Sequence, residues 1–478
     1  MIYDTLIIGS GLSSIFFLEG YKKRNEKIGL LSYNSLNYKI SNDFKLEKKI
    51  KNNLPPRFNQ DSIEPISNFF LMNNIEYSDK SSIFGLLQDG GVSNYWGMSC
   101  DFPKSYQLDF LNEKNRKSLI DSFNYIYNKY NFEGSILNND IKNIKDKRVE
   151  GYFDKFLKIK DRNISFYKNC SAVNTLRCTK LNDQCWTKCP TNSTLLPNMM
   201  KNNYENIDRL NYFVDSIVKV NDNYKIHCVN YFNEKKIFLT KKLVLACGTI
   251  GTTRLILDML TYDKPVKIYH NPMIFGCVLA NENVKHDLKH WLAQVASNYY
   301  DSETGSSSVS NFRSANEDIK KKIIKDYWFA KNFFFKKIYS IIENRIFFIN
   351  LYIENKYSNL AIQKNFNSFK IDLIEKDMSY INKLLKKHLT INIEILKKNK
   401  LASYFRYSSI PKIGHDNHYT GTIKINNRNE RLSVNEKCEL NNFKNLYIID
   451  GSVIPDNISF FPTGIIIANA HRVGASIS

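Results

Sequence analysis

Long apolar runs are missing from this sequence of 478 residues. The uncharged stretch from Ile458 to Ala470 has 13 residues, too few to cross a bilayer as a helix. The first apolar run, Leu6 to Ile8, passes straight into a glycine turn, without the basic region, longer apolar stretch and cleavage site of a secretory signal. The chain is therefore expected to be soluble and cytoplasmic. Acidic residues are also short: 47 Asp and Glu face 68 Lys and Arg, a formal net charge of +21. A nucleic-acid groove concentrates its cations on one segment, whereas these lysines run along the whole chain, so no nucleic-acid partner is expected. Glycine and proline are sparse beside abundant Lys, Asn, Ile, Tyr and Phe, a compositional bias rather than a dedicated basic surface. The nine cysteines are an odd number, which argues against a disulfide scaffold. The 43% of hydrophobic residues suffices for a large core spread over two or three domains.

The N-terminus reads as strand, tight turn, helix, strand. Tyr3 to Ile8 is a short apolar strand, Gly9-Ser10-Gly11 the turn, Leu12 to Tyr21 a packed helix, and Ile28 to Leu31 a second strand buried on both faces. This is the βαβ opening of a dinucleotide-binding unit. Residues 34–82 are polar and weakly periodic, which predicts a surface excursion. From Tyr212 to Thr240 three strands form a meander, and Leu243 to Ala246 is a buried strand entering the turn Cys247-Gly248-Thr249-Ile250-Gly251. Asn445 to Ile449 is a last strand, ending in Asp450-Gly451-Ser452, and a helix from about Thr463 to Ala475 closes the chain. The fold class is therefore α/β. A Rossmann-like nucleotide domain is assembled from residues 1–35, 83–100, 205–275 and 440–478, and an α+β substrate domain from 101–204 and 276–439.

Gly9-x-Gly11-x-x-Ser14 suits phosphate binding, because glycine lets the backbone approach a pyrophosphate and the helix N-terminus offers free N–H groups. The second strand of such units usually ends in an acidic residue that holds a ribose hydroxyl. Here Leu31 is followed by Ser32-Tyr33-Asn34, and Ser32 and Asn34 are the candidates for a weaker bond.

Four motifs occur in one order: Gly9-x-Gly11; Gly90-Gly91-Val92-Ser93-Asn94-Tyr95-Trp96-Gly97; Leu245-Ala246-Cys247-Gly248-Thr249-Ile250-Gly251; and Asp450-Gly451-Ser452-Val453-Ile454-Pro455. Together they resemble the glucose–methanol–choline (GMC) oxidoreductase family, over both termini and residues 210–260 more than over the substrate domain. The resemblance implies FAD as cofactor, with Gly90, Gly91, Ser93 and Asn94 along the flavin. It implies that Val214 brackets adenine, that Gly248 allows close backbone approach, and that Asp450 and Gly451 meet the ribityl or pyrophosphate region. Some relatives attach FAD covalently through a histidine where this chain has Tyr95, so the flavin is expected to be non-covalent. His418-Tyr419-Thr420-Gly421-Thr422 resembles the family's His-x-x-Gly-Thr segment, whose histidine faces the reactive flavin nitrogen. Oxidising an alcohol requires removal of its O–H proton, a role that suits histidine; His415, three residues earlier, is the second candidate.

The chain departs from the family at Ser459-Phe460-Phe461-Pro462-Thr463-Gly464, where Phe461 stands in the place of a hydrogen-bonding partner and can move no proton. Either His418 works alone, or His415 or a substrate-domain residue assists. Pro462 and Thr463 open the last helix, whose amides suit negative charge on reduced flavin. Cys178, Cys185 and Cys189 lack the spacing of a common zinc site, so packing thiols are favoured and no metal is expected. Aromatic and basic residues interleave over 319–353, which raises peripheral membrane contact beside the favoured reading of packed helices. The expected activity is oxidation of a hydroxyl on a small molecule, a sugar or polyol first. A non-redox lyase, isomerase or cyclisation, or a degenerate binding subunit, stays open.

Overall fold

The computed structural model describes residues 2–23, 25–35, 44–54, 62–95, 99–130, 132–135, 140–141, 149, 151–172, 207–284, 293–314, 337, 342–375, 377–426, 428, 430–456 and 461–477. Strand β1 (Ile2–Ile8) buries its last four side chains in succession, as a central parallel strand covered on both faces must. Beside it lies β2 (Ile28–Leu31), and beyond that β3 (Ile207–Leu210). After the hairpin of β4 (Phe213–Val220) and β5 (Asn223–Val229), strand β6 (Lys235–Leu245) serves two partnerships. Its first half pairs antiparallel with β5. Its second half lies parallel between β1 and β7 (Leu446–Ile448). The parallel part therefore reads β3-β2-β1-β6-β7 and draws on both ends and the middle of the chain, as the motif order predicts.

Helices α1 (Leu12–Gly20), α2 (Gly248–Met259) and α3 (Thr463–Ser476) follow β1, β6 and β7. α1 and α3 touch backbone to backbone: a Cβ on Gly20 would stand 2.2 Å from the His471 carbonyl oxygen, and one on Gly474 equally close to that of Phe17. A six-stranded antiparallel sheet forms the second unit, in the order Ala402–Ser409, Met273–Ala280, Ile346–Ile353, Ser306–Ser314, Val295–Asp301, Ile164–Lys168. Its core joins Tyr152, Phe153 and Phe156 to Phe347, Ile349 and Leu351, and to Leu385 and Leu389 of the helix Ser379–Lys398. A small sheet of Ile75–Tyr77, Ser368–Leu373, Leu360–Asn365 and Val266–Ile268 shares a core with Ile250 and Leu257 of α2.

Several expectations change. Residues 34–82 are not only a surface excursion: the helix Ile63–Met72 buries Ile63, Ile66, Phe69 and Phe70, and Ile75–Tyr77 joins a sheet. Of the segment 101–204 assigned to the substrate domain, Phe102, Leu119, Phe123, Ile126 and Tyr127 lie in the nucleotide-domain core, while Tyr152 to Phe156 lie under the six-stranded sheet. Ile423, Ile425, Val434 and Cys438, from 276–439, also belong to the nucleotide-domain core. The cause is the same in each case: an apolar stripe marks a face to be buried but does not name its partner. In 319–353, the strand Ile346–Ile353 is buried throughout, so Phe347 and Phe348 are withdrawn from any bilayer; 319–336 and 338–341 lie outside the described residues. Cys178, Cys185 and Cys189 also lie outside them. Among the described residues no helix is long and apolar enough to cross a membrane.

One buried titratable group in the second unit makes stability depend on pH. His388 is inaccessible, with Nε2 2.9 Å from Ser306 Oγ and its ring edge-on to Tyr299. Burial pushes its imidazole down to about 4, against the pull of Asp301 and with the help of Lys387. The unfolded chain takes up that proton near 6.5, so this contribution to stability is whole above pH 6.5 and shrinks as pH falls toward 4. Denaturant unfolding at pH 7 and pH 5 is expected to differ by about 1–2 kcal/mol through this group, a difference that His388→Gln removes.

Candidate active site

A cavity of about 350 Å³ opens at the C-terminal ends of the parallel strands, the usual ligand position in such sheets. Its other wall is the six-stranded sheet, through Asn311, Arg313, Asn350 and Tyr352. Of the residues singled out from sequence, Gly9, Gly11, Ser32, Gly90, Gly91, Ser93, Val214, Gly248, Asp450, Gly451, Thr463 and His418 all line it. Ser14, Asn94, Pro462 and His415 do not.

The turn after β1 explains the glycine requirement. Gly9 has φ +105°, and a Cβ there would lie 2.3 Å from the carbonyl oxygen of Ala246 at the end of β6. The two strand ends thus meet without side chains between them. Ser14 is wholly buried and its hydroxyl donates to the Gly9 carbonyl, so it holds the turn rather than a ligand. Asn94 likewise donates from Nδ2 to the Asp89 carbonyl (2.7 Å) and shapes its own loop. The backbone N–H of Asn34 donates to Asn211 Oδ1 at 3.1 Å, and its side chain does not reach the cavity wall.

Three helix N-termini face this space: Gly11 to Ser13 of α1, Gly248 to Gly251 of α2, and Thr463 of α3. None has a side-chain cap, and none carries an acidic residue in its first turn. Helix N-termini normally satisfy their free N–H groups with such side chains. In α2 the Gly248 amide donates to the Asp450 carboxylate; the N-termini of α1 and α3 have no such partner among the described residues, and together on one cavity they fit a ligand with several negative charges, as the pyrophosphate of FAD has. Pro462 is the N-cap of α3 and Thr463 its first residue, so the expected helix start holds.

Asp450 is committed inward. Its carboxylate accepts from the Ser452 amide (3.0 Å), the Ser452 hydroxyl and the Thr252 hydroxyl. Burial raises its carboxyl above the ordinary range, against the lowering effect of the Ser452, Thr252 and Gly248 donors. It fixes the turn after β7 and presents that turn to the cavity.

His418 sits where the two units meet. Its ring is tilted against Tyr352 at 5.3 Å and edge-on to Phe461 at 5.7 Å. Phe461 thus meets the imidazole with an aromatic ring that can neither donate nor accept a proton. Behind His418 lies a residue that the sequence reading missed. Asp416 is buried, with Oδ1 2.8 Å from His270 Nδ1, and Oδ2 accepting the amides of Asn271 (2.9 Å) and His418 (3.1 Å). His418 Nδ1 is 3.9 Å from the same carboxylate. Burial alone would raise the Asp416 carboxyl, but His270, His418 and the Asn271 amide hold it below its ordinary value. Asp416 stands two residues before His418, a spacing that offered a signal; His270, 146 residues away, offered none. His415 points elsewhere, with Nδ1 3.3 Å from Ser82 Oγ and its ring between Phe84 and Phe275. That removes it as a direct partner of His418 on this geometry and leaves Tyr352 as the polar ring beside the histidine.

Removing the Asp416 carboxylate strips acceptors from the buried Asn271 amide, the half-buried His418 amide and His270. Asp416→Ala is therefore expected to lower unfolding stability by roughly 2–5 kcal/mol, measured in urea at pH 7. Because the folded carboxyl titrates below 3.8, the wild-type contribution is present above that pH and is lost as pH falls further.

Residues 383–470 match the family model described as GMC oxidoreductase. No curated protein sequence matches the chain. Among solved structures, the fold is similar to that of pyridoxine 4-oxidase from Mesorbium loti, with a TM-score of 0.60 and 10% sequence identity. That likeness covers 99% of this chain and 98% of the other.

Proposed function

We propose that this chain, which matches the GMC oxidoreductase family model over residues 383–470, binds FAD non-covalently and oxidises a hydroxyl group of a small polar molecule. The observation that carries this reading is the position of His418, on the wall of the cavity that three helix N-termini face. FAD, when bound, supplies the acceptor for the hydride that leaves the alcohol carbon. The turn at Gly9 to Gly11, the α2 turn at Gly248 and the Asp450-Gly451 turn would hold its pyrophosphate and ribityl parts. His418 accepts the hydroxyl proton on its imidazole. Asp416 behind it fixes the backbone of that residue and places a carboxylate near the ring that gains charge. Tyr352 and Phe461 pack against the imidazole and hold its orientation. Asn311 and Asn350 on the facing wall offer donors and acceptors to further hydroxyls, which supports a sugar or polyol ahead of a plain alcohol.

Phe461 supports a second reading, in which the same site runs a non-redox lyase or isomerase reaction with His418 as base. One experiment separates them: anaerobic mixing of the yellow protein with a panel of alcohols and sugars, followed by flavin absorbance. Bleaching by a member of the panel supports oxidation. Turnover with the flavin still oxidised supports the second reading. Protein that stays colourless with added FAD removes both.

A further inference from the structure

The acidic residue expected after β2 is absent from the sequence there, yet a carboxylate reaches the same place from elsewhere. Ser32, the first residue after β2, donates its hydroxyl to Asp89 Oδ1. Ser10, inside the β1–α1 turn, donates to the same oxygen at 3.1 Å, and the two serine oxygens are 2.8 Å apart. Arg209, in β3, donates to the other oxygen, Oδ2, at 2.8 Å. Asp89 belongs to the glycine-containing loop, 57 residues beyond Ser32. That loop is seated on the turn by the Gly90 amide, which donates to the Ser10 carbonyl at 3.2 Å. Asp89 itself is not on the cavity wall, whereas Ser10 and Ser32 are.

We infer that Asp89, acting through the Ser10 and Ser32 hydroxyls, replaces the missing strand-end acid and makes a site for the adenosine ribose diol of the bound dinucleotide. This rests on the FAD reading above. Each serine hydroxyl has one proton and two acceptor lone pairs. Ser10 donates to Asp89 Oδ1, and Ser32 gives its one proton either to the same oxygen or to Ser10 Oγ; in both arrangements the serine protons stay within this network, and the oxygens facing the cavity act as acceptors. Two adjacent acceptors backed by a carboxylate complement a vicinal diol, which brings two O–H donors, and they disfavour a group without protons. Arg209 occupies Oδ2, and so leaves Oδ1 turned to the serines. The ribose contact and the glycine-containing loop are thereby joined, because the carboxylate that polarises the serine hydroxyls is part of that loop.

If Asp89 only pinned the loop to the turn, nucleotides with and without each ribose hydroxyl would bind alike. ADP, 2′-deoxy-ADP and 3′-deoxy-ADP are titrated as competitors of FAD on the flavin-free full chain, read by flavin fluorescence. Wild type is expected to bind ADP about tenfold more tightly than at least one deoxy analogue. Ser32→Ala, which leaves the Ser10, Arg209 and Gly90 contacts of the loop in place, is expected to bind ADP about tenfold more weakly and to lose the discrimination. Asp89→Ala is expected to do the same. Wild type that binds the three nucleotides within twofold overturns the proposal, with no variant needed. So does a Ser32→Ala protein that weakens all three equally, or FAD binding that ADP does not compete with. A chain that binds no FAD at all counts instead against the functional reading on which the proposal rests.

Discussion

His418→Ala is expected to lower the rate of substrate-dependent flavin reduction by about 10²–10⁴-fold, the usual worth of a positioned proton acceptor. The effect should fall on kcat and leave flavin content near that of wild type. The reason lies in the division of labour around the cavity. The nucleotide-domain side of the cavity is lined by glycine turns and helix N-termini, whereas His418 enters on the segment after Gly414 and touches Tyr352 and Phe461. Stopped-flow reduction under anaerobic conditions measures the chemical step directly, and absorbance at the flavin band measures loading. A variant that reduces its flavin within threefold of the wild-type rate would falsify the assignment of His418 as proton acceptor. A variant that has lost its flavin would show instead that the histidine belongs to the binding site.

The second large effect is expected at Gly9. Gly9→Ala should abolish flavin loading and destabilise the protein by several kcal/mol, on the order of 3 or more. Two costs add. A side chain at φ +105° is in a backbone region that L-residues rarely adopt, which costs about 1–3 kcal/mol. The new Cβ would also stand 2.3 Å from the Ala246 oxygen and 2.6 Å from its carbonyl carbon, so β1 and β6 would have to part where the cavity floor is formed. Gly305→Ala is the control, with positive φ (+62°) but nothing within 4 Å of the added Cβ. It should cost about 1 kcal/mol and leave the flavin-to-protein ratio unchanged. Equal loading in the two variants would mean that the close approach at Gly9 does not shape the nucleotide site.

The strand–turn–helix units of the nucleotide half are written in local sequence. β1, its turn and α1 are contiguous, and a continuous apolar strand running into Gly9-Ser10-Gly11 has few other structures open to it. The turns at Cys247-Gly248 and Asp450-Gly451 carry the same kind of local information, because positive φ and helix initiation depend on neighbouring residues. The structure brings all three turns to one cavity. His418 was legible for a different reason, as part of a short motif.

Tertiary structure alone decided which residues serve those turns. Ser14 and Asn94 have the chemistry of ligands, but each spends its hydrogen bond on its own loop. His415 has the chemistry of a base, but lies against Ser82 and Phe84. Conversely, Asp416 meets His270 across 146 positions, and Asp89 meets Ser32 across 57. Residue type and spacing fix what a side chain can do and which local turn it favours. A hydrogen bond between distant residues requires the two segments to be packed side by side, and an apolar stripe states only that a face is buried. That is why the packing of Phe102, Leu119, Phe123, Ile126 and Tyr127 against the nucleotide-domain strands, and the carboxylate behind Ser32, are visible only in the tertiary structure.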